Sequence, residues 1–418
     1  MPLSGNSNRP VLVYFASVGK GGLANYAEHQ ARALADAGAS IVFLGSGHFE
    51  DSARLNSPNI EFIRLSDAPR WIRQCGILGR VTASILERLM SVRQLVSLVR
   101  QRKIQSVLLT AYAEYWAPLW SWQLQRLHRK NVWFGVVVHD PVRDFRIGPV
   151  FWHRWSMSLA YSFVDVAFVH DSTDLDTGSP RRNLSVVKIP HGIYEFPYPS
   201  SPPSLEQVLT EFGLPLNSIV LLSFGHIRDG KNLDLTIRAL VHQPRMYLLV
   251  AGKEQSSGQR TVAYYQQLAR DVGVAERCVW RSEFITEECI WKYFFVANAV
   301  MLTYSKAFHS ASGVLNVAAV YENSLIASGG DGPLKSAVQQ YGLGIWCEPD
   351  SESSLYSALK SFLEAPLTVA KWANYKHDNS WQTNANVVLA SIEQFKSPQA
   401  LVAHPTREKP DTYSCAAP

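Results

Sequence analysis

Val11 to Leu44 reads VLVYFASVGKGGLANYAEHQARALADAGASIVFL, and Ile219 to Leu240 reads IVLLSFGHIRDGKNLDLTIRAL. Each is an apolar, β-branched run, then a short polar or glycine-rich turn, then a helical pattern. A strand followed by such a turn sets backbone N–H groups and a helix N-terminus at the carboxyl edge of a parallel sheet, where anions and phosphates bind. Two such units in one chain predict an α/β fold of two Rossmann-like domains, their parallel sheets facing across a cleft. That arrangement suits an enzyme with two substrates.

The rest of the chain keeps the rhythm. Strands are expected at Val11–Ala16, Ile41–Leu44, Glu61–Leu65, Val107–Thr110, Val132–Val138, Val166–Val169 and Val186–Ile189. The proline-rich YEFPYPSSPPS, Tyr194–Ser204, interrupts the series and reads as a linker. Strands resume at Ile219–Phe224, Tyr247–Ala251, Val279–Arg281, Ala299–Thr303, Leu325–Ala327 and Gly344–Trp346, and a final helix falls near Thr383–Phe395. The expected division is therefore a first domain over 1–196, a second over 205–380, a helix over 381–396 returning toward the first, and a disordered tail over 397–418.

Composition bounds the functions open to such a chain. Its 418 residues exceed one ordinary core, and 47% hydrophobic against 18% charged residues describes a globular protein. A net charge of +5 favours anionic ligands or a lipid surface but is far below a nucleic-acid footprint, so no nucleic-acid partner is expected. The cysteines (Cys75, Cys278, Cys289, Cys347, Cys415) show no paired spacing, which argues against a disulfide framework or a zinc site and for a reducing compartment. MPLSGNSNRP lacks the apolar core of a signal peptide, and no apolar run reaches the roughly 18 residues that span a bilayer. A cytoplasmic protein, free or resting on the inner membrane face, is expected.

Ile85, Leu89, Val92, Val96 and Val99 form an apolar stripe at helical spacing, with Arg88, Arg93 and Arg100 on other faces. The stripe suits a basic membrane-contact helix, and equally an ordinary helix packed on the sheet.

The candidate chemistry lies at strand ends. Gly19, Gly21 and Gly22 offer close backbone approach to a ligand, with Asn25 and Tyr26 just beyond; they do not spell GxGxxG, and no acidic residue closes the second strand, so a nicotinamide cofactor is not expected. His139 and Asp140 end VWFGVVVHD, His170 and Asp171 end VDVAFVHD, and IPHG places His191 and Gly192 at the hinge. A histidine at a strand's carboxyl end can bond a sugar hydroxyl or shuttle a proton, or can simply satisfy a loop. In FGHIRDGKN, Lys231 opens a helix where its ammonium can reach a diphosphate, with His226 and Arg228 in the same turn. His309, Ser310, Ala311, Ser312 and Gly313 precede the apolar helix Val314–Val320, a hydroxyl-lined N-terminus suited to a pyrophosphate, and Gly329 and Gly330 follow the next strand.

Taken in order, these stretches resemble the retaining family-4 glycosyltransferases of the GT-B fold, over roughly Val11 to Leu363. GKGGLANYAEHQARALADAG looks like the family's first loop and helix, VVVHD like the strand carrying its active-site histidine, IPHG like its IPNG hinge, and FGHIRDGKN like its GRxxxxK loop. The resemblance implies a hexosyltransferase that retains anomeric configuration, needs no metal or cofactor, and uses a nucleotide-sugar as co-substrate. It implies catalytic roles for His139, Lys231 and Arg228. It implies donor contacts from Gly21, Gly22, His226, His309, Ser310, Ala311, Ser312, Gly313 and Asn316.

Two departures stand out. The loop's usual arginine is His226, leaving Arg228 to act instead. The family's two glutamates, eight positions apart, fall on His309 and Val317. Val317 cannot accept the ribose hydrogen bond, a loss of about 1–3 kcal/mol if nothing replaces it; Glu322 stands too far along to substitute, and Asn316 is the nearest alternative acceptor. The acceptor class stays open between a lipid-linked or surface-polysaccharide intermediate and a soluble glycan. A degenerate GT-B protein, binding nucleotide, glycan or partner without transfer, is the second reading.

Overall fold

The computed structural model describes residues 10–17, 22–139, 141, 148–170, 175–181, 183–194, 196–255, 258–364 and 370–396. Gly19, Gly21, Asp140, Asp171, Cys415 and the tail over 397–418 lie outside them.

Thirteen strands form among the described residues, and every strand expected from sequence is present. In the first domain they are β1 (Val11–Ala16), β2 (Ser40–Gly45), β3 (Ile60–Arg64), β4 (Ser106–Ala111), β5 (Trp133–Val138), β6 (Val166–Val169) and β7 (Ser185–Lys188). In the second they are β8 (Ile219–Phe224), β9 (Met246–Ala251), β10 (Cys278–Arg281), β11 (Ala299–Thr303), β12 (Ser324–Ser328) and β13 (Gly344–Trp346). All pairings are parallel, in the orders β3-β2-β1-β4-β5-β6-β7 and β10-β9-β8-β11-β12-β13.

Helices cover both faces, so central strands bury both sides: every residue of Trp133–Val138 is buried. Each sheet is sandwiched between two apolar clusters. Strand order reverses between β1 and β4 in one sheet and between β8 and β11 in the other. At such switch points the connections diverge to opposite faces and leave a crevice outside the carboxyl ends. The site residues sit at these two crevices.

The apolar stripe Ile85, Leu89, Val92, Val96 and Val99 lies on the 27-residue helix Gly76–Arg102; Val92, Val96 and Val99 are buried in the core of the first domain, and Leu89 packs partly buried against it. Of the two readings of that stripe, the burial supports an ordinary helix packed on the sheet. No described helix is long and apolar enough to cross a membrane. The described cysteines Cys75, Cys278, Cys289 and Cys347 are free thiols.

The helix Trp381–Lys396 packs against the helix Gly22–Asp36 of the first domain. Buried Asn384 fixes the contact. Its Oδ1 accepts from Gln30 Nε2 at 2.7 Å, and its Nδ2 donates to Tyr26 Oη at 2.9 Å and to the Pro190 carbonyl at 2.7 Å. Gly192 has φ +81°, and a Cβ there would stand 2.3 Å from the Trp381 indole. Only glycine tolerates both the left-handed backbone and the ring against it.

Candidate functional site

The second domain's half of the site grows from the turn after β8. Asp229 anchors it: Oδ1 accepts from the Arg260 backbone N–H and Nε, both at 3.1 Å, and from Tyr265 Oη at 3.0 Å. Asn232 follows at φ +50° and donates to Asp350 Oδ1 at 2.9 Å. The turn is thus gripped on both sides of Lys231, whose ammonium donates to the Phe224 carbonyl. Among the described residues neither Lys231 nor Arg228 meets a carboxylate. Burial, and then the Arg228 charge, pull the Lys231 ammonium down to about 7.

The loop after β11 is tied to this turn by a hydrogen bond from the Ser305 N–H to the Gly230 carbonyl, 2.9 Å. It leads to the helix Gly313–Tyr321, capped by Ser312, whose Oγ accepts from the Leu315 N–H and lies 2.9 Å from Tyr304 Oη. The N–H groups of Gly313 and Val314 have no partner within the helix. A Cβ placed on Gly225 would lie 3.4 Å from Lys231 Nζ and 3.6 Å from Val314 Cγ2. The ammonium and the first turn of that helix therefore flank one spot at the β8/β11 switch point. A cation beside free amides at a helix N-terminus is an anion site in chemical terms.

The other expected donor contacts are distributed around this spot. His226 is exposed, and burial and the neighbouring Lys231 and Arg228 charges lower it from its ordinary value. His309 lies flat over Gly330, where a Cβ would come within 2.3 Å of its ring, and its Nδ1 is 2.9 Å from the Asp331 carbonyl. Ala311 and Ser312 line a cavity of about 350 Å³ between the domains.

Asn316 is not a free acceptor. Its Oδ1 accepts from Tyr375 Oη at 2.8 Å and its Nδ2 lies 3.0 Å from His191 Nδ1, so the amide joins the second domain to the hinge. Val317 is buried in the core, and Glu322 pairs with Lys376 at the far end of the helix.

In the first domain His139 ends β5 and lines a cavity of about 430 Å³ together with Phe15, Glu87, Arg88, Glu114 and Trp120. Burial, then the neighbouring His191, pushes the His139 imidazole down to about 3, and burial pushes His191 down to about 4. Both are neutral at neutral pH, so His139 is a hydrogen-bonding group there rather than a charged one. Gly22 opens its helix facing open space.

Two features were not read from the sequence. Glu287 of the second domain accepts from Asn25 Nδ2 and from Arg54, each at 2.9 Å, latching the domains beside the first helix. The second is a cluster of three histidines. His139, His170 and His191 each bring one ring nitrogen within 4.8 Å of the others, and they are a group among the described residues that could hold an ion. Their spacing hid them, because the fold brings together the ends of three neighbouring strands.

No protein-family model and no curated protein matches the chain. Solved structures do share its fold. A glycosyltransferase from Rickettsia africae superposes with a TM-score of 0.68 at 12% identity, covering 94% of this chain and 100% of its own. Sucrose-phosphate synthase from Thermosynechococcus elongatus gives 0.64 at 17% identity over 93% of this chain and 99% of its own. HepE from Anabaena, in complex with UDP and glucose, gives 0.64 at 16% identity over 92% and 99%. The chain thus has the GT-B fold of these proteins, two Rossmann-like domains with parallel sheets facing across a cleft.

Proposed function

We propose that this protein is a glycosyltransferase that moves a hexosyl unit from a nucleotide-sugar to an acceptor hydroxyl with retention of configuration. The observation that carries the reading is Lys231: a partly buried ammonium that meets no carboxylate among the described residues, at a switch point, beside the amides of Gly313 and Val314 that have no partner within their helix. A diphosphate supplies the charge this position lacks. That HepE, of the same fold, binds UDP and glucose supports the choice of donor class.

In the reaction the bond from the anomeric carbon to the diphosphate oxygen breaks and a bond from the acceptor oxygen forms. The acceptor proton leaves with the diphosphate. Lys231, Arg228 and the helix amides stabilise the charge that develops on the leaving group, an effect worth several kcal/mol in a preorganised site. His226, His309 and Ser310 border the donor, Gly22 approaches it from the first domain, and neutral His139 bonds a sugar hydroxyl; a donor contact from Gly21, which lies outside the described residues, is implied by the resemblance alone. The cavity of about 430 Å³ takes the acceptor glycan, free or lipid-linked. The diphosphate chemistry calls for no metal or cofactor, and the reaction is placed in the cytoplasm or on the inner membrane face.

Thermal-shift titration with UDP, GDP, ADP and their sugar conjugates tests this. One nucleotide raises the midpoint, and Lys231→Ala abolishes the response. Binding without transfer is the second reading, favoured by buried Val317 where the resemblance puts a ribose-gripping glutamate. Nucleotide binding with no diphosphate release for any acceptor would select it.

A further inference from the structure

Three imidazoles meet at the junction of the two cavities. His139 follows β5, His170 follows β6, and His191 lies three residues past β7, so their convergence is set by adjacent strands of one sheet. Ring centroids are 5.3 Å apart for His139 and His170 and 4.9 Å for His170 and His191. For three imidazoles on one tetrahedral ion, metal–nitrogen bonds of about 2.0–2.1 Å put the ring centroids about 5 Å apart. Two of the three ring pairs stand at that spacing, and one nitrogen of each ring lies within 4.8 Å of the other two.

The nitrogens are oriented for the task as well. The Nε2 atoms of His139 and His170 are buried and have no hydrogen-bond partner among the described residues. An orphaned buried ring nitrogen is costly unless something else binds it. His170 Nδ1 lies 3.2 Å from the Ile189 carbonyl, which fixes the tautomer that leaves the Nε2 lone pair free. Metal-binding histidines are held in this way by an outer hydrogen bond. His191 Nδ1 lies 3.0 Å from Asn316 Nδ2 and 3.4 Å from the Gly192 carbonyl, so Nε2 is the nitrogen not engaged there; an ion on Nε2 puts the ring proton on Nδ1, facing the Gly192 carbonyl. The Tyr26 ring packs edge-on against all three.

We propose that His139, His170 and His191 form a binding site for a borderline divalent transition-metal ion, of which zinc is the representative. Neutral nitrogen ligands select zinc, cobalt, nickel or copper over magnesium or calcium. The fourth position falls to water or to an oxygen of a molecule in the cleft: His139 lines the larger cavity, and His170 and His191 the smaller. Because His191 belongs to the hinge and holds Asn316 of the second domain, the ion would clasp the hinge. This role is separate from the diphosphate contact at Lys231 and shares only His139 with the sugar-transfer site.

The test uses the untagged full chain stripped with chelator and titrated with Co2+, then Zn2+, without nucleotide. One Co2+ per chain should bind with the intense visible absorption of a four-coordinate site, and Zn2+ should displace it. His170→Asn and His191→Asn should each weaken binding by more than the roughly 100-fold that loss of an outer-shell partner can cost. Zinc-edge absorption spectroscopy on the unmodified protein should count three imidazole ligands, so the result does not depend on either variant folding. No stoichiometric uptake, octahedral cobalt with fewer than three imidazoles, or undiminished binding in both folded variants overturns the proposal. Donor binding plays no part in these readouts, so their failure and the failure of the Lys231 reading are separable.

Discussion

The ammonium of Lys231 donates to the carbonyl oxygen of Phe224, the last residue of β8, and meets no carboxylate among the described residues. A buried cation bonded only to a neutral oxygen is an unfavourable arrangement that an arriving anion relieves. Folding and function pull in opposite directions at this residue.

Lys231→Met should therefore leave the thermal midpoint of the unliganded protein unchanged or raise it, since the desolvated charge is removed. The same variant should lose nucleotide binding and reduce turnover by about 100-fold or more. Differential scanning calorimetry with and without nucleotide checks both halves.

With its ammonium lowered to about 7, Lys231 is charged in the free protein only at and below neutral pH. Binding a diphosphate requires the charged form. Nucleotide affinity should fall as pH rises above 7, approaching about tenfold per unit, because a proton must be taken up on binding. Lys231→Arg keeps its charge throughout and should flatten the profile. Isothermal titration calorimetry between pH 6 and 9 in buffers of differing ionisation enthalpy measures the proton uptake directly.

Gly192→Ala should destabilise the protein by about 2–5 kcal/mol, combining left-handed backbone strain with a methyl driven into the Trp381 ring. Chemical denaturation followed by tryptophan fluorescence reads it. A loss under 1 kcal/mol would show that the hinge is not packed as described.

His139 and His191 have folded-state values lowered to about 3 and about 4. Unfolded, they titrate at the ordinary histidine value, so the unfolded chain binds more protons below about 6.5. Stability should be fully present above that pH and should decline as pH falls toward 4, by on the order of 2 kcal/mol per histidine at pH 5. A combined His139→Asn, His191→Asn variant should show a shallower acid limb in urea titrations at stepped pH.

The strands were legible because each is a short β-branched run ended by a turn residue, and parallel order follows from the alternation with helices. Lys231 and the Ser310–Gly313 loop were legible because a residue after a strand and before a helix reaches the carboxyl edge whatever its neighbours do. The hydrogen bonds that engage Asn316 were not legible because its partners, Tyr375 and His191, lie 59 and 125 residues away. The histidine triad carried a signal in the recurrence of histidine after three successive strands, in VHD, VHD and IPHG. Recognising it needed the knowledge that β5, β6 and β7 are neighbours. The Glu287 latch joins residues 233 and 262 positions apart and left no local trace.

The most direct test of the account is release of nucleoside diphosphate from a panel of UDP-, GDP- and ADP-sugars by the full chain, compared with Lys231→Ala. The account predicts release from one donor class, reduced by about 100-fold or more in the variant while its fold is intact. Equal release by both proteins, or none together with no nucleotide binding, would contradict it.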